Sequence, residues 1–514
     1  YLLKDPGSFG VIKPEYVSYD VRGAGLCGSA LYSVEGGIVG FHIAGGQTNV
    51  GVSSVWSITV REKIKKLLSD DVYVLPFEDR VEDDKLTGLS VCRLDAEVGA
   101  SVPSKTSYGP SPLFGIYPIE RKPADLTVFG KCTVKDIAKK SFKTGPILDK
   151  DELRFARKVI DAMIEPFEDL VEREIVLGNV YLAGLNKDSS NGYGCNVLKS
   201  HYIDYEGGML TPVCRQEVEE LETALESGEN VPWERLFWVE TLKDELRGLE
   251  KEGVPRSFRV GTIHQQILTK KYFGKFVSDI VKERRQNQIM IGVNPAKDWD
   301  WIYHELVNSK GVFAGDVKGW DGSMSCQVQR EVVDAIISKY RGKFVESARR
   351  ILDLLVHSLV VVQDDLFLTT HSMPSGSFLT AIVNSVVNRF YTAMWYYRQM
   401  VANGFVPTIG NLSLNVLDFV YGDDKLNAVR KHQEFLNAIT MRDFFRSIGL
   451  DFTTASKCEV VEPFESMDKV SFLKRSFRFH HKLGRVVCPL ELKTLYSFLS
   501  YVSYDKDIMS VMKD

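Results

Sequence analysis

The eight cysteines of this 514-residue chain include no Cys-x-x-Cys pair, which argues against a zinc ribbon or a disulfide framework and fits a reducing compartment. Long apolar runs are also missing. The longest, Ile351 to Val362, is interrupted by Asp353 and His357 and is too short to span a bilayer. Neither sign of charge is in excess: 64 Lys and Arg face 68 Asp and Glu, so no global positive field advertises a polyanionic partner. No internal repeat and no low-complexity tract is seen. What remains, 44% hydrophobic and 26% charged residues, is ordinary globular composition, long enough for roughly two to four domains. The chain opens on Tyr1 with neither a methionine nor a signal-like segment, and is expected to be cut from a longer translation product.

Three regions are expected. Residues 1–68 are rich in glycine and β-branched residues, with short alternating runs such as Gly37 to Ile43, and read as β-strands closed by a helix over Arg61 to Leu68. Residues 69–97 hold nine acids against three bases and read as a solvated linker. From Val98 to the end helical patterns predominate, over Asp151 to Leu177, Arg215 to Ser227, Gln329 to Val362 and Phe378 to Val401. Two stretches are locally basic and are candidate phosphate-facing surfaces. Lys243 to Arg285 has eleven bases against six acids, and Asp468 to Arg485 has six against one.

In the first region, Gly25-Leu26-Cys27-Gly28-Ser29-Ala30 puts a thiol on a glycine-flanked turn where backbone N–H groups can converge on an oxyanion. Gly40-Phe41-His42-Ile43-Ala44-Gly45-Gly46 follows, and the pair resembles the second barrel of picornavirus-like chymotrypsin-fold cysteine proteases. The resemblance implies that Cys27 is a nucleophile and that His42 lines a specificity pocket. The family's general base is an upstream histidine, and no histidine precedes Cys27, so this fragment is expected not to cleave peptides. No Gln lies between Gln47 and Gln216; a junction cut would therefore use a Glu such as Glu78 or Glu97, or the modules stay fused.

The strongest signal lies further on. Apolar runs on both sides of Tyr421-Gly422-Asp423-Asp424 read as a β-hairpin with adjacent carboxylates at its tip. Ala314-Gly315-Asp316-Val317-Lys318-Gly319-Trp320-Asp321 reads as a strand ending in Asp316, with Asp321 five residues later. Phosphoryl transfer on two hard metal ions needs carboxylates from two elements, and Asp316 and Asp423 supply that pattern. Either aspartate alone would be a turn or cap residue. A third segment, Ser372-Met373-Pro374-Ser375-Gly376-Ser377-Phe378-Leu379-Thr380-Ala381-Ile382-Val383-Asn384, has Gly376 for a sharp turn, with Thr380 and Asn384 four apart on one helix face.

Together these segments resemble the right-handed RNA-dependent RNA polymerases of picornavirus-like viruses, from about Ser104 to the end. The implied fold is α+β: a palm with Asp316, Asp423 and Asp424 as catalytic metal ligands, fingers from Val98 to Asn308 and again after Gln329, and a partial thumb. Before it stands a partial all-β chymotrypsin-like barrel. Asp321, Ser375, Thr380 and Asn384 would recognise the ribose 2′-hydroxyl. Lys243-Asp244-Glu245-Leu246-Arg247 with Arg256 resembles the segment lining the nucleotide channel, which assigns Lys243, Arg247 and Arg256 to the triphosphate. Val254 stands where the family often has a lysine, leaving Lys251 or Arg259 as substitutes. Lys457, in Gly449 to Lys457, would protonate the departing pyrophosphate. Lys474 and Arg475 would meet the phosphates of the primer strand. Ser189 to Gly194 matches a template-guiding loop. Only 37 residues follow Phe477, and a shortened thumb is expected.

The resemblance further implies two Mg2+ ions, with Mn2+ as a substitute; RNA template, RNA primer and nucleoside triphosphates as partners, alongside other viral replication proteins; and replication complexes in the host-cell cytoplasm. Two other readings stay open: a non-catalytic RNA-binding polyprotein precursor, and a reverse transcriptase, which would lack the Asp321 and Asn384 pairing.

Overall fold

The computed structural model describes residues 105–127, 146–195, 197–251, 253–363, 365–369, 371–430 and 433–503, with strands at 9–13, 16–20, 30–32, 38–45, 50–55 and 88–93. The chain divides into two compact units, Tyr1–Asp83 with Ser90–Glu97 and Asp84–Leu89 with Val98–Asp514.

The first unit contains an antiparallel five-stranded sheet in the order Phe9–Lys13, Tyr16–Asp20, Val50–Val55, Ile38–Gly45, Ala30–Tyr32. His42 falls on the strand Ile38–Gly45, opposite Ser53, but its side chain is not among those described. Cys27 and the helix expected over Arg61 to Leu68 lie outside the described residues.

The second unit is built around a four-stranded antiparallel sheet, in the order Val416–Tyr421, Asp424–Val429, Gly311–Val317, Phe452–Thr454. Helices cover it. Thr380–Ala402 lies on one side, packed in turn against Lys150–Met163, and Pro295–Val307 lies on the other. The period-2 alternation of strands sorts the side chains: Leu417, Phe419, Leu426 and Ala428 join Trp299 and Ile302 in one core, while Val416, Val420 and Val429 join the larger core around Phe390 and Trp395. A Cβ at Gly315 would sit 2.1 Å from the Phe452 ring, so only glycine lets that ring cross the central strand.

A second sheet contains Arg256–Gly261, Trp238–Lys243, Leu359–Val362 and Asp365–Thr369, adjacent in that order. Two expected helices are broken. The pattern from Asp151 stops at Met163 and resumes at Glu172–Leu177, because Pro166 can neither donate to the helix ladder nor leave its predecessor helical. The pattern from Gln329 divides into helices Cys326–Lys339 and Val345–Val356 and then the strand Leu359–Val362, whose Leu-Val-Val-Val run pairs in parallel with Trp238–Lys243. The helix expected from Arg215 starts earlier, at Pro212, with Thr211 as its cap, and ends at Ser227 before the left-handed Gly228. No helix of the described residues is long and apolar enough to cross a membrane.

Candidate active site

The hairpin register pairs Tyr421 with Asp424, so Gly422 and Asp423 form a two-residue turn. Gly422 has a φ of 64°, the positive value that a type II′ turn requires at its first central position. The turn is held from behind by the helix Thr380–Ala402. The Gly422 amide donates to Ser385 Oγ at 2.8 Å, and Asn388 Nδ2 donates to the carbonyls of Gly422 at 3.0 Å and Asp423 at 3.2 Å. Asp316, 7% exposed, comes from the neighbouring strand. Lys457 reaches the same place: its Nζ lies 2.6 Å from Asp316 Oδ2, and its backbone φ of 64° belongs to a tight turn.

Burial, together with the nearby carboxylates of Asp316 and its neighbours, pushes Asp423 up to about 7 and Asp424 up to about 6. The three aspartates offer only hard oxygen donors, from two elements, in a setting that penalises their shared negative charge, and this fits a hard divalent cation. Among the described residues no three acidic, His or Cys side chains form a ready-made cage. Lys457 instead supplies the positive charge at Asp316.

Beside the carboxylates, Asn384 Nδ2 donates to Asp321 Oδ1 at 2.7 Å and the Ser375 hydroxyl donates to Asp321 Oδ2. Thr380, expected in the same group, instead donates to the Pro374 carbonyl at 2.9 Å and so braces the loop that carries Ser375. The basic residues meet on the facing hairpin, where Lys243 pairs with Arg256 across the strands. Glu245 organises them: Arg256 Nε donates to it at 2.6 Å in a bidentate pair, while Arg247 at 3.4 Å and Lys243 at 3.8 Å flank it. Arg259 is removed from the substitutes for the missing lysine, because it is 3% exposed and paired with Glu240 at 2.9 Å; Lys251 stays exposed.

Lys474 sits at the tip of the short hairpin Ser471–Phe472 and Arg475–Ser476, where Leu473 and Lys474 have φ of 53° and 58°. Two consecutive non-glycine residues in that region mark a strained turn. Arg475 spends one donor on the Cys488 carbonyl at 2.9 Å. The loop Ser189 to Gly194 is anchored on the helix Ile263–Lys282, whose Ile263 amide donates to the Asn191 carbonyl at 2.8 Å. Ser385, Asn388 and Glu245 carry structural duties that the motif reading did not assign. The signal for Asn388 was there: Thr380, Asn384, Asn388 and Thr392 form a polar stripe at intervals of four on a largely apolar helix.

With that geometry in place, the class is defined: residues 152–510 match the family model for viral RNA-dependent RNA polymerase, and the chain belongs to that family of RNA-directed RNA polymerases. The family works with divalent metals. The chain is 25% identical, over 93% of its length, to a replicase polyprotein of Drosophila C virus, covering 31% of that protein. It is 30% identical over 52% of its length to a replicase polyprotein of Cricket paralysis virus, covering 16% of it. The chain thus spans under a third of the length of these relatives. In fold it is similar to the Sicinivirus 3Dpol RNA dependent RNA polymerase, with a TM-score of 0.69 at 22% identity over 80% of this chain and 87% of that one. This likeness supports the right-hand polymerase fold.

Proposed function

We propose that this chain extends an RNA primer on an RNA template by nucleotidyl transfer at Asp316, Asp423 and Asp424. The observation that carries the reading is the meeting of these carboxylates with the Asp321–Asn384–Ser375 group, 2′-hydroxyl recognition beside a phosphoryl-transfer centre. Asp316, Asp423 and Asp424 would hold two Mg2+ ions, which Mn2+ could replace and which would activate the primer 3′-hydroxyl and neutralise charge on the departing pyrophosphate. Arg256, Arg247 and Lys243, gathered by Glu245, bind the triphosphate oxygens. Lys457 Nζ gives its proton to the pyrophosphate oxygen as the bond to the α-phosphorus breaks. Lys474, with Arg475 beside it, meets primer phosphate.

The chain is read as the C-terminal part of a cysteine protease barrel (1–68), followed by an acidic linker (69–97) and the polymerase (98–514). The antiparallel sheet of the first unit supports an all-β module. The replicase polyproteins among its relatives support a place in cytoplasmic replication complexes with other viral proteins.

The test is Mg2+-dependent extension of an RNA primer on an RNA template. The parent chain is expected to incorporate ribonucleotides in preference to deoxyribonucleotides, and Asp423→Ala to lower incorporation by at least about a thousandfold. Persistent incorporation by Asp423→Ala would sink the assignment, and a preference for deoxyribonucleotides would favour a reverse transcriptase.

A further inference from the structure

A serine occupies a glycine conformation at the edge of the ribose site. Ser372, 1% exposed, has a φ of 114°, which L side chains rarely adopt. Such a residue persists only where its surroundings over-determine it. Here buried groups grip each of its polar atoms. Gln329, also 1% exposed, donates from Nε2 to the Ser372 carbonyl at 3.0 Å and accepts from the Ser372 amide at 3.2 Å. The Ser372 hydroxyl accepts from Arg259 Nη1 at 2.7 Å, and Arg259 is oriented by Glu240. The next amide, that of Met373, donates to the Asp321 carbonyl at 2.8 Å. Further along the loop, a Cβ at Gly376 would lie 1.8 Å from the Arg259 carbonyl, so the loop rests directly on that strand.

We propose that Ser372, clamped by Gln329 and Arg259, is a positioning residue for sugar selection, which sets the spacing of Asp321 and Ser375 and ties it to the triphosphate-binding hairpin. The inference rests on the polymerase reading above. Arg259 lies on the strand Arg256–Gly261, three residues from the arginine assigned to the triphosphate, and it touches the loop twice, through its guanidinium and its carbonyl. Rejection of a substrate that lacks a hydroxyl depends on donors and acceptors fixed where that hydroxyl would be. A glycine at position 372 would relax the backbone but leave no hydroxyl for Arg259. The serine accepts backbone strain and gains an anchor.

Two substitutions separate anchor from strain. Ser372→Gly removes both, and Ser372→Ala removes the anchor alone. The readouts are melting temperature and the ratio of kcat/KM for a ribonucleoside triphosphate over its 2′-deoxy analogue on one primer–template. Both variants are expected to lose roughly tenfold in that ratio. The glycine variant should melt near the parent and above the alanine variant. Replacing the pair together, Glu240→Leu with Arg259→Met, removes the anchor from the other side without stranding a buried charge and should lower the ratio equally.

A ratio unchanged in Ser372→Gly, or one that simply follows melting temperature across the variants, overturns the proposal. A parent chain that incorporates neither sugar overturns the polymerase reading and this inference with it. That outcome is distinct from an active, selective polymerase indifferent to Ser372.

Discussion

At the scale of single residues, the second unit buries charge near its chemistry and neutralises it by different means. Asp418, 3% exposed, is bonded across the Asp423 hairpin to Lys425 at 2.8 Å and Asn427 at 2.9 Å, with Arg389 of the covering helix at 3.8 Å. Lys425 and Arg389 hold the Asp418 carboxyl below its usual range even though burial alone would raise it. Among the described residues Lys270 has no such carboxylate. Its ammonium, 5% exposed, donates to the Ala183 carbonyl and lies 4.6 Å from the centre of the Phe378 ring, and burial lowers it to about 8 from 10.5. The unfolded chain therefore binds one more proton than the folded chain between pH 8 and 10.5, so stability rises with pH across that window and the full cost is felt below pH 8. That cost is on the order of 3 kcal/mol. In melting curves taken at a series of pH values, the parent is expected to gain stability from pH 8 to 10 relative to Lys270→Met. Parallel curves for the two would contradict the assignment.

At the scale of elements, one helix does most of the positioning. Thr380–Ala402 presents Asn384 to Asp321 and, one position and one turn further on, Ser385 and Asn388 to the Gly422–Asp423 turn. The two functions share a rigid rod, so an error in its placement reaches both. Asn388→Leu keeps the heavy-atom count and Cγ branching of a fully buried side chain but frees the turn carbonyls. It is expected to lower kcat roughly 10- to 100-fold with KM for nucleotide changed less, since the carboxylates move and the triphosphate-binding residues do not. Single-turnover kinetics separate the two. A loss confined to KM would mean that the helix does not set the turn. The hairpin itself was legible in sequence from its apolar flanks and Gly-Asp turn, and so was the strand that carries Asp316, which runs one residue further, to Val317. The break at Pro166 also has a local signal, the proline itself, which ends a helical pattern at the residue before it. The conversion of Leu359–Val362 to a strand was not legible, because a short apolar run reads equally as buried helix until a partner strand is known.

At the scale of the whole molecule, the chain's nearly balanced charge conceals a division: the acidic stretch 69–97 holds nine of its acids, and the basic residues gather where phosphate is expected. The second compact unit has its own continuous cores. A fragment running from Asp84 to Asp514, which keeps all of that unit, is expected to unfold cooperatively and to retain primer extension within a few fold of the full chain, of the order of threefold. Thermal melting and extension assays on the two proteins check this. Aggregation of the fragment, with loss of the transition, would show that the first unit is needed for the fold.

The sequence by itself determined the family and where its candidate chemistry lies: Asp316, Asp423, Asp424, Asp321, Asn384 and Lys457 sit in short motifs whose local geometry, a strand end, a two-residue turn or a helix face, follows from a few neighbouring residues. The tertiary structure alone decided which other polar residues serve them. Arg259 looked like a substitute for the missing channel lysine, and Asp418 and Lys425 looked like ordinary charges around a turn. Ser372 looked like loop. Their roles depend on desolvation and on partners far away in the chain, Gln329 for Ser372 and Arg389 for Asp418. A charge takes its meaning from what surrounds it, and those surroundings exist only once the chain has folded.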